Sequence, residues 1–268
     1  MNNYSIGVFD SGCGGLTAVK AIRELMPDEN IIYLGDTARI PYGTKSNQTI
    51  VKYAQDDIEF LTKHNVKMII VACGTVSAVM MSNPIYNGDL SFTGVLLPTV
   101  KAAAAATKNG RIGVIGTPTT IKSESYTKIL HEIDPSLSVT AQGCPLFVPL
   151  VENGYTDKGN KIATLVAEEY LSVMKKDGVD TLILGCTHYP LLTDIIRDIM
   201  GDDVTLISSG EQAGIYAKTL LEEKGLRNNS GKEGRLELYC TDSVELFSEN
   251  VESFLGHNTN ALISQCVL

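Results

Sequence analysis

The chain has 268 residues, of which 44% are hydrophobic and 20% charged, so it can form one large or two medium domains with a sizeable core. Its formal net charge of −9 at pH 7, without a basic stretch, argues against a nucleic-acid partner. No apolar run reaches transmembrane length and no signal-peptide pattern opens the chain, so we expect a cytoplasmic protein with no membrane partner.

Short runs rich in Ile, Val and Leu alternate with longer amphipathic stretches. Several of the runs are apolar without alternation, which is typical of parallel strands covered on both faces. The predicted strands are residues 5–10, 30–36, 66–74, 92–97, 111–117, 137–143, 179–186, 204–209 and 235–242. The stretches between them predict helices, so the sequence indicates an α/β fold with mainly parallel sheets.

Two helices have recognisable starts. Ser46 is expected to cap a helix that runs to about His64, and Asp157 to cap one that runs to about Lys176. Further along, residues 227–234 (RNNSGKEG) predict a polar loop before the last strand and helix.

The sequence repeats itself at a nearly constant interval. Ile-Gly-Val at residues 6–8 recurs at residues 112–114, and the run that begins at Val66 resembles the run that begins at Val179. The alternative is the ordinary recurrence of strand and helix in any doubly wound protein. We favour two similar doubly wound domains related by a pseudo-two-fold axis. The predicted domains are residues 1–97, to which 210–268 return, and residues 98–209.

Two cysteines follow equivalent runs of this repeat. Cys73 is followed by Gly74 and Thr75, and Cys186 by Thr187 and His188. Ligands of open α/β sheets bind at the carboxyl ends of the strands. Inverting a stereocentre by proton transfer requires a base on one face and an acid on the other, and a thiolate and a thiol can fill these roles. We therefore predict that the two thiols flank one bound molecule in the cleft between the domains.

Neighbouring side chains are expected to assist the thiols. Asp10, at the end of the first strand, is positioned to assist Cys73 or to hold a substrate ammonium, and His188 to assist Cys186. One alternative is that both cysteines are small buried hydrophobes. Another is a zinc site with His188, but the sequence has no CxxC or HxxxH pattern to support it. The other cysteines, Cys13, Cys144, Cys240 and Cys266, are expected to be packing residues.

Three loops carry glycine, threonine and backbone N–H groups. DSGCGG (10–15) resembles a phosphate-binding loop but lacks its Lys-Ser/Thr, so its glycines are expected to let the backbone approach a small anion at a helix start. The loops IPYGTKS (40–46), which contains Pro41, and GTPTT (116–120) suit a carboxylate. The alternative for both is simple turn formation.

The chain resembles the glutamate racemases of the aspartate/glutamate racemase family over nearly its whole length. The segments that carry this resemblance are DSGCGGL (10–16), GDTARIPYGTKS (35–46), VACGT (71–75), CPLFVPLVENG (144–154) and LILGCTHYPLL (182–192).

The resemblance implies two similar α/β domains with the active site between them and a cofactor-independent racemase without metal, pyridoxal phosphate or nucleotide. It implies glutamate as substrate, supply of D-glutamate for peptidoglycan, and a homodimer as the family's expectation. Cys186 would take the proton from L-glutamate and Cys73 from D-glutamate. The predicted catalytic residues are Cys73, Cys186, Asp10 and His188. The predicted substrate-binding residues are Asp10, Ser11, Pro41, Tyr42, Gly43, Gly74, Thr75, Thr117, Glu152, Thr187 and His188.

The chain departs from the family pattern at one position. The family usually has Asn between the first catalytic Cys and its Thr, whereas this chain has Gly74, so a substrate-facing amide is missing. For this reason a racemase of aspartate or another amino acid stays an alternative. A non-catalytic binding or regulatory protein on the same fold is a third hypothesis, and the intact thiols, Asp10 and His188 argue against it.

Overall fold

The computed structural model describes residues 2–256 and 259–268, and the chain divides into two compact units. The first unit comprises Met1–Val95 and Gly210–Leu268, and the second comprises Leu96–Ser209. The sequence placed the first boundary after residue 97. The boundary falls earlier because helix α4 (Leu96–Ala106) begins at Leu96 and packs within the second unit.

The first unit contains a parallel six-stranded sheet. Its strands are β1 (Ser5–Asp10), β2 (Ile31–Gly35), β3 (Val66–Val71), β4 (Ser91–Gly94), β9 (Leu236–Cys240) and β10 (Leu262–Gln265). They are ordered β10-β9-β2-β1-β3-β4, and every described pair is parallel. All residues of β1, β2 and β3 are buried, because helices cover both faces of the sheet centre.

In the described residues of the first unit, five α-helices accompany this sheet. They are α1 (Leu16–Leu25), α2 (Asn47–Thr62), α3 (Gly74–Met80), α10 (Ser209–Glu223) and α11 (Val244–Leu255). Ser46 caps α2 as predicted, since its Oγ accepts a hydrogen bond from the Thr49 N–H at 3.3 Å.

The second unit contains a parallel four-stranded sheet ordered β6-β5-β7-β8. Its strands are β5 (Arg111–Gly116), β6 (Ser138–Gly143), β7 (Thr181–Leu184) and β8 (Thr205–Ser208). The helices besides α4 are α5 (Pro118–Lys122), α6 (Ser125–Ile133), α7 (Phe147–Glu152), α8 (Lys161–Lys176) and α9 (Thr193–Met200).

The two sheets share one strand order. The segment β2-β1-β3-β4 of the first sheet corresponds to β6-β5-β7-β8 of the second. The repeated Ile-Gly-Val lies on β1 and on β5, which occupy the same place in this order. The prediction of two similar α/β units with parallel sheets is therefore confirmed.

Two local predictions were wrong. Asn160, rather than Asp157, caps α8, and its Oδ1 accepts from the Ala163 N–H at 3.1 Å. Residues 157–160 instead form a turn, in which Gly159 has a φ of +93°. The sequence also predicted one strand after the polar loop, whereas β9 and β10 follow it; β10 is largely exposed and has no apolar run.

Within residues 2–256 and 259–268, no helix is long and apolar enough to cross a membrane.

Candidate active site

The predicted site residues of the first unit lie at the carboxyl ends of three neighbouring strands. Asp10 is the last residue of β1, Tyr42 lies in the loop after β2, and Cys73 follows β3. A hydrogen bond from the Ala72 N–H to the Phe9 carbonyl, at 2.9 Å, joins the ends of β1 and β3. This is the edge at which open parallel sheets bind ligands.

The Asp10 carboxylate is buried in the glycine-rich loop. Its Oδ1 accepts from the Ser11 N–H at 2.9 Å, and its Oδ2 accepts from the Gly15 N–H at 2.5 Å. A Cβ on Gly15 would lie 2.6 Å from the Cβ of Asp10 and 2.9 Å from Tyr33, so the loop can close only around glycine. The sequence suggested that this loop approaches an external anion at the helix start. In the structure, the Gly15 N–H binds the protein's own Asp10 carboxylate.

Cys73 precedes helix α3 and is buried, with 4% of its surface exposed. Its Sγ lies 3.6 Å from the Ser11 Oγ, whose own distance to the Asp10 Oδ1 is 3.5 Å. Burial, and then the negative charge of Asp10, raise the pKa of the Cys73 thiol well above its usual range. These surroundings therefore favour the thiol of Cys73 over its thiolate.

Gly74 and Thr75 are the first residues of α3, and both are buried directly after Cys73. Their position at a helix start is suited to binding an anionic group.

The loop after β2 contains Pro41, Tyr42 and Gly43. Tyr42 is 1% exposed, and its hydroxyl donates to the Asp36 carboxylate and to Asp57 Oδ2, the latter at 3.2 Å. The Tyr42 hydroxyl is therefore hydrogen-bonded to side chains of the first unit. Pro41 is exposed and Gly43 half-buried, so a substrate contact from this loop would come from these residues or from the main chain.

An ion network anchors the same loop. Arg39 contacts Asp36, Asp56 and Asp57 at 2.5, 2.7 and 3.1 Å, respectively. Burial, and then the charge of Asp36, raise the pKa of the Asp57 carboxyl. The network is not apparent from the sequence, because its members are spread over residues 36–57.

The second unit carries its predicted residues at the corresponding sheet edge. Thr117 follows β5, and Cys186 follows β7 after one glycine. The Gly185 N–H donates to the Ile115 carbonyl at 2.8 Å, which fixes the start of the Cys186 loop against β5. Cys186 therefore occupies the position in the second sheet that Cys73 occupies in the first.

Cys186 lies at the start of a chain of proton-transferring groups. Its Sγ is 3.8 Å from His188 Nδ1, and His188 Nε2 is 3.1 Å from Glu152 Oε1. Cys186 and His188 are each 7% exposed, whereas the Glu152 side chain is 37% exposed. A neutral imidazole can take the thiol proton, and the carboxylate on its far side stabilises the resulting imidazolium.

The two threonines of this unit have different surroundings. Thr117 caps α5, and its Oγ1 accepts from the Thr120 N–H at 3.3 Å. Thr187 lies between Cys186 and His188 and is 2% exposed. Of the two threonines, Thr187 is therefore the one that shares a loop with the Cys186 thiol.

Two residues beside Cys186 were not among the predicted site residues. Cys144, which follows β6 and was expected to be a packing residue, is 1% exposed. Burial, and then the charge of Cys186, raise the pKa of the Cys144 thiol. Tyr126, on α6, is 3% exposed and packs against Gly185. No sequence signal indicated Tyr126, because its position depends on how α6 packs on the sheet.

All six cysteines lie in the described part of the chain and are free thiols. Among the described residues, no group of three or more His, Cys, Asp or Glu side chains is arranged to hold a metal ion.

Comparison with known proteins places the chain in a family. Residues 16–213 match the model of the Asp/Glu/Hydantoin racemase family. The glutamate racemase of Chlorobaculum parvum is 48% identical over 252 residues, which cover 94% of this chain and 92% of that protein.

Solved structures agree with this placement. A glutamate racemase isoform, RacE1, from Bacillus anthracis superimposes with a TM-score of 0.94 at 37% identity, covering 100% of this chain and 99% of that one. The glutamate racemase from Francisella tularensis, solved in complex with D-glutamate, has a TM-score of 0.89 at 39% identity, covering 100% and 98%. The chain therefore belongs to the Asp/Glu/Hydantoin racemase family and is an isomerase.

Proposed function

We propose that this protein is a cofactor-independent racemase that interconverts L-glutamate and D-glutamate with Cys73 and Cys186 as acid and base. The observation that carries the proposal is the equivalent placement of the two thiols, one after β3 and one after β7. Relatives at 48% and 42% identity, from Chlorobaculum parvum and Geobacter metallireducens, are glutamate racemases, which supports glutamate as the substrate.

In the proposed reaction, the Cys186 thiolate takes the α-proton of L-glutamate. The Cα–H bond breaks, an S–H bond forms, and the electron pair remains on Cα, where the α-carboxylate delocalises it. The Cys73 thiol then delivers its proton to the opposite face of Cα, which yields D-glutamate. Proton exchange with solvent returns both sulfurs to their starting states. The reaction requires both thiols to reach one Cα.

The surroundings of each thiol support its proposed role. The raised pKa of Cys73 keeps a proton available for delivery. His188, 3.8 Å from Cys186, offers an acceptor for the proton of that thiol. In the reverse direction the thiols exchange roles, so Cys73 must then start as the thiolate.

We further propose that the product serves peptidoglycan synthesis, since D-glutamate is the product expected of this family. A second candidate function is racemisation of aspartate or another amino acid. It is favoured by Gly74, which lacks the side-chain amide that the family usually has at this position.

Racemisation in deuterium oxide tests the proposal. Purified protein without added cofactor is given L-glutamate, D-glutamate or L-aspartate, and optical rotation and Cα deuterium are followed. We expect early product to carry deuterium at Cα while recovered substrate stays protiated, because the delivering thiol has exchanged with solvent. Equal deuterium in substrate and product from the first turnovers would indicate a single base. Turnover of aspartate alone would favour the second candidate.

A further inference from the structure

Tyr126 presents an unusual buried group beside the second thiol. It lies on α6 with 3% of its surface exposed, and its hydroxyl has no hydrogen-bond partner within the described part of the chain. An unsatisfied buried hydroxyl loses its hydrogen bonds to water without gaining new ones, so native proteins seldom keep one without a reason.

The Tyr126 ring packs against the Cys186 loop. A Cβ built on Gly185 would lie 3.3 Å from Tyr126 Cε2 and 3.5 Å from Cζ, the carbon that bears the hydroxyl. The oxygen-bearing end of the ring therefore packs against the residue directly before Cys186. Gly185 has no side chain that could separate the phenol from this loop.

We propose that Tyr126 is a positioning residue for the reaction, and that its hydroxyl donates a hydrogen bond to the Cys186 sulfur when that sulfur is a thiolate. This inference rests on the proposed function, because it assigns a role to the thiol that takes the proton from L-glutamate.

The proposed donor distinguishes the two protonation states of Cys186. A thiol sulfur is a weak acceptor, whereas a thiolate accepts a charge-assisted hydrogen bond. The Tyr126 hydroxyl is therefore without a partner in the thiol state and gains one in the thiolate state. Burial, and then the charge of Cys186, raise the pKa of Tyr126, so the phenol keeps its proton and remains a donor.

Other groups also face Cys186. They are His188 at 3.8 Å, Glu152 behind that imidazole, and the buried Cys144 and Tyr189. The Tyr189 hydroxyl already donates to the Cys144 carbonyl at 3.1 Å. Two buried tyrosines therefore lie beside one thiol, one with its hydroxyl satisfied and one without, and they form a matched pair for an experiment.

The experiment compares Tyr126→Phe with Tyr189→Phe in the full chain. Each protein is alkylated with iodoacetamide over a range of pH, and the rate at Cys186 is read from its peptide by mass spectrometry. Loss of the Tyr126 hydroxyl should move the midpoint for Cys186 upward by about one pH unit, a roughly tenfold smaller thiolate fraction below the midpoint. The alkylation rate of Cys73, measured in the same samples, should stay unchanged at each pH, as should the midpoint for Cys186 in Tyr189→Phe.

Stability and activity provide further readouts. Tyr126→Phe should keep or raise the melting temperature, because it removes an unsatisfied hydroxyl, whereas Tyr189→Phe should lower it. The pH–rate profile of Tyr126→Phe should move to higher pH, while its rate at high pH recovers, since a thiolate with fewer donors is a stronger base. A merely structural role would lower the rate at every pH.

An unchanged Cys186 midpoint in Tyr126→Phe, or an equal shift in both variants, would overturn the inference. These alkylation measurements need no turnover. A shift specific to Tyr126→Phe in a protein that does not racemise glutamate would therefore support the role of Tyr126 and overturn only the proposed function.

Discussion

The two thiols end corresponding strands but lie in chemically different surroundings. Cys73 lies 3.6 Å from the Ser11 hydroxyl and near the Asp10 carboxylate, whose charge disfavours ionisation of the sulfur. Cys186 lies 3.8 Å from the His188 imidazole, which can accept a proton. A repeated α/β unit therefore places a thiol at the same position twice, and the two thiols have different neighbours. Under the proposed function, these neighbours would favour proton delivery by one sulfur and proton removal by the other.

Removing either sulfur should have the largest effect. Cys73→Ser and Cys186→Ser should each slow racemisation by about a hundredfold to ten-thousandfold, because a hydroxyl is a poor base at neutral pH. The fold should survive, since Ser is close to Cys in size. Polarimetry with each enantiomer measures the rate, and circular dichroism checks the fold. If either variant kept a near-normal rate, the two cysteines would not act together as acid and base.

The racemisation rate should depend more on the His188 imidazole, in the second unit, than on the Glu152 carboxylate behind it. His188→Asn should lower the rate on the order of a hundredfold, because the Cys186 proton loses its acceptor. Glu152→Gln should cost roughly tenfold or less, since Glu152 is partly exposed and contacts only the far side of the ring in the described geometry. Steady-state kinetics of both variants checks this order, and a larger loss in Glu152→Gln would reverse the assignment.

The surroundings of Cys73, in the first unit, should affect the free energy of unfolding at alkaline pH. The Cys73 pKa is raised in the folded state, so above about pH 8.5 the unfolded chain loses a proton that the folded protein keeps. The contribution to stability is complete below the unfolded pKa and is lost as pH rises toward the folded value. Urea unfolding should thus show a steeper alkaline decline in the parent than in Cys73→Ser, by up to about 1.4 kcal/mol per pH unit. Parallel curves would mean that the surroundings of Cys73 do not hold its proton.

The smallest expected effect concerns Gly74, beside the first thiol. Gly74→Asn should lower KM for glutamate by about two- to tenfold with a smaller change in kcat, because an added amide contact acts throughout the reaction. Initial rates over a range of glutamate concentrations separate the two constants. A higher KM would show that the start of α3 has adapted to glycine.

The fold was largely predictable because buried parallel strands are recognisable as apolar runs. The missed strand, β10, lies at the edge of the sheet beside β9 and exposes most of its residues, so no apolar run indicated it. The start of α8 was misplaced because Asp157 and Asn160 are both good caps, and only the turn between them selects the second.

Site prediction was limited in a different way. Sequence order shows which residues follow a strand, and so it indicated Asp10, Cys73 and Cys186. It does not show which partner a side chain takes, and so it missed the Asp57 bond to Tyr42 and the approach of Tyr126 to Gly185. Both contacts depend on helix packing rather than on local pattern.

The unequal surroundings of the two thiols have a thermodynamic consequence. Mirror-image amino acids have equal free energies in water, so a racemase must reach a one-to-one mixture whatever residues surround its sulfurs. The kcat/KM values of the two directions must therefore be equal. The Asp10 carboxylate lies near one thiol and the His188 imidazole near the other. These neighbours can give the two enantiomers different kcat values only if the KM values differ by the same factor.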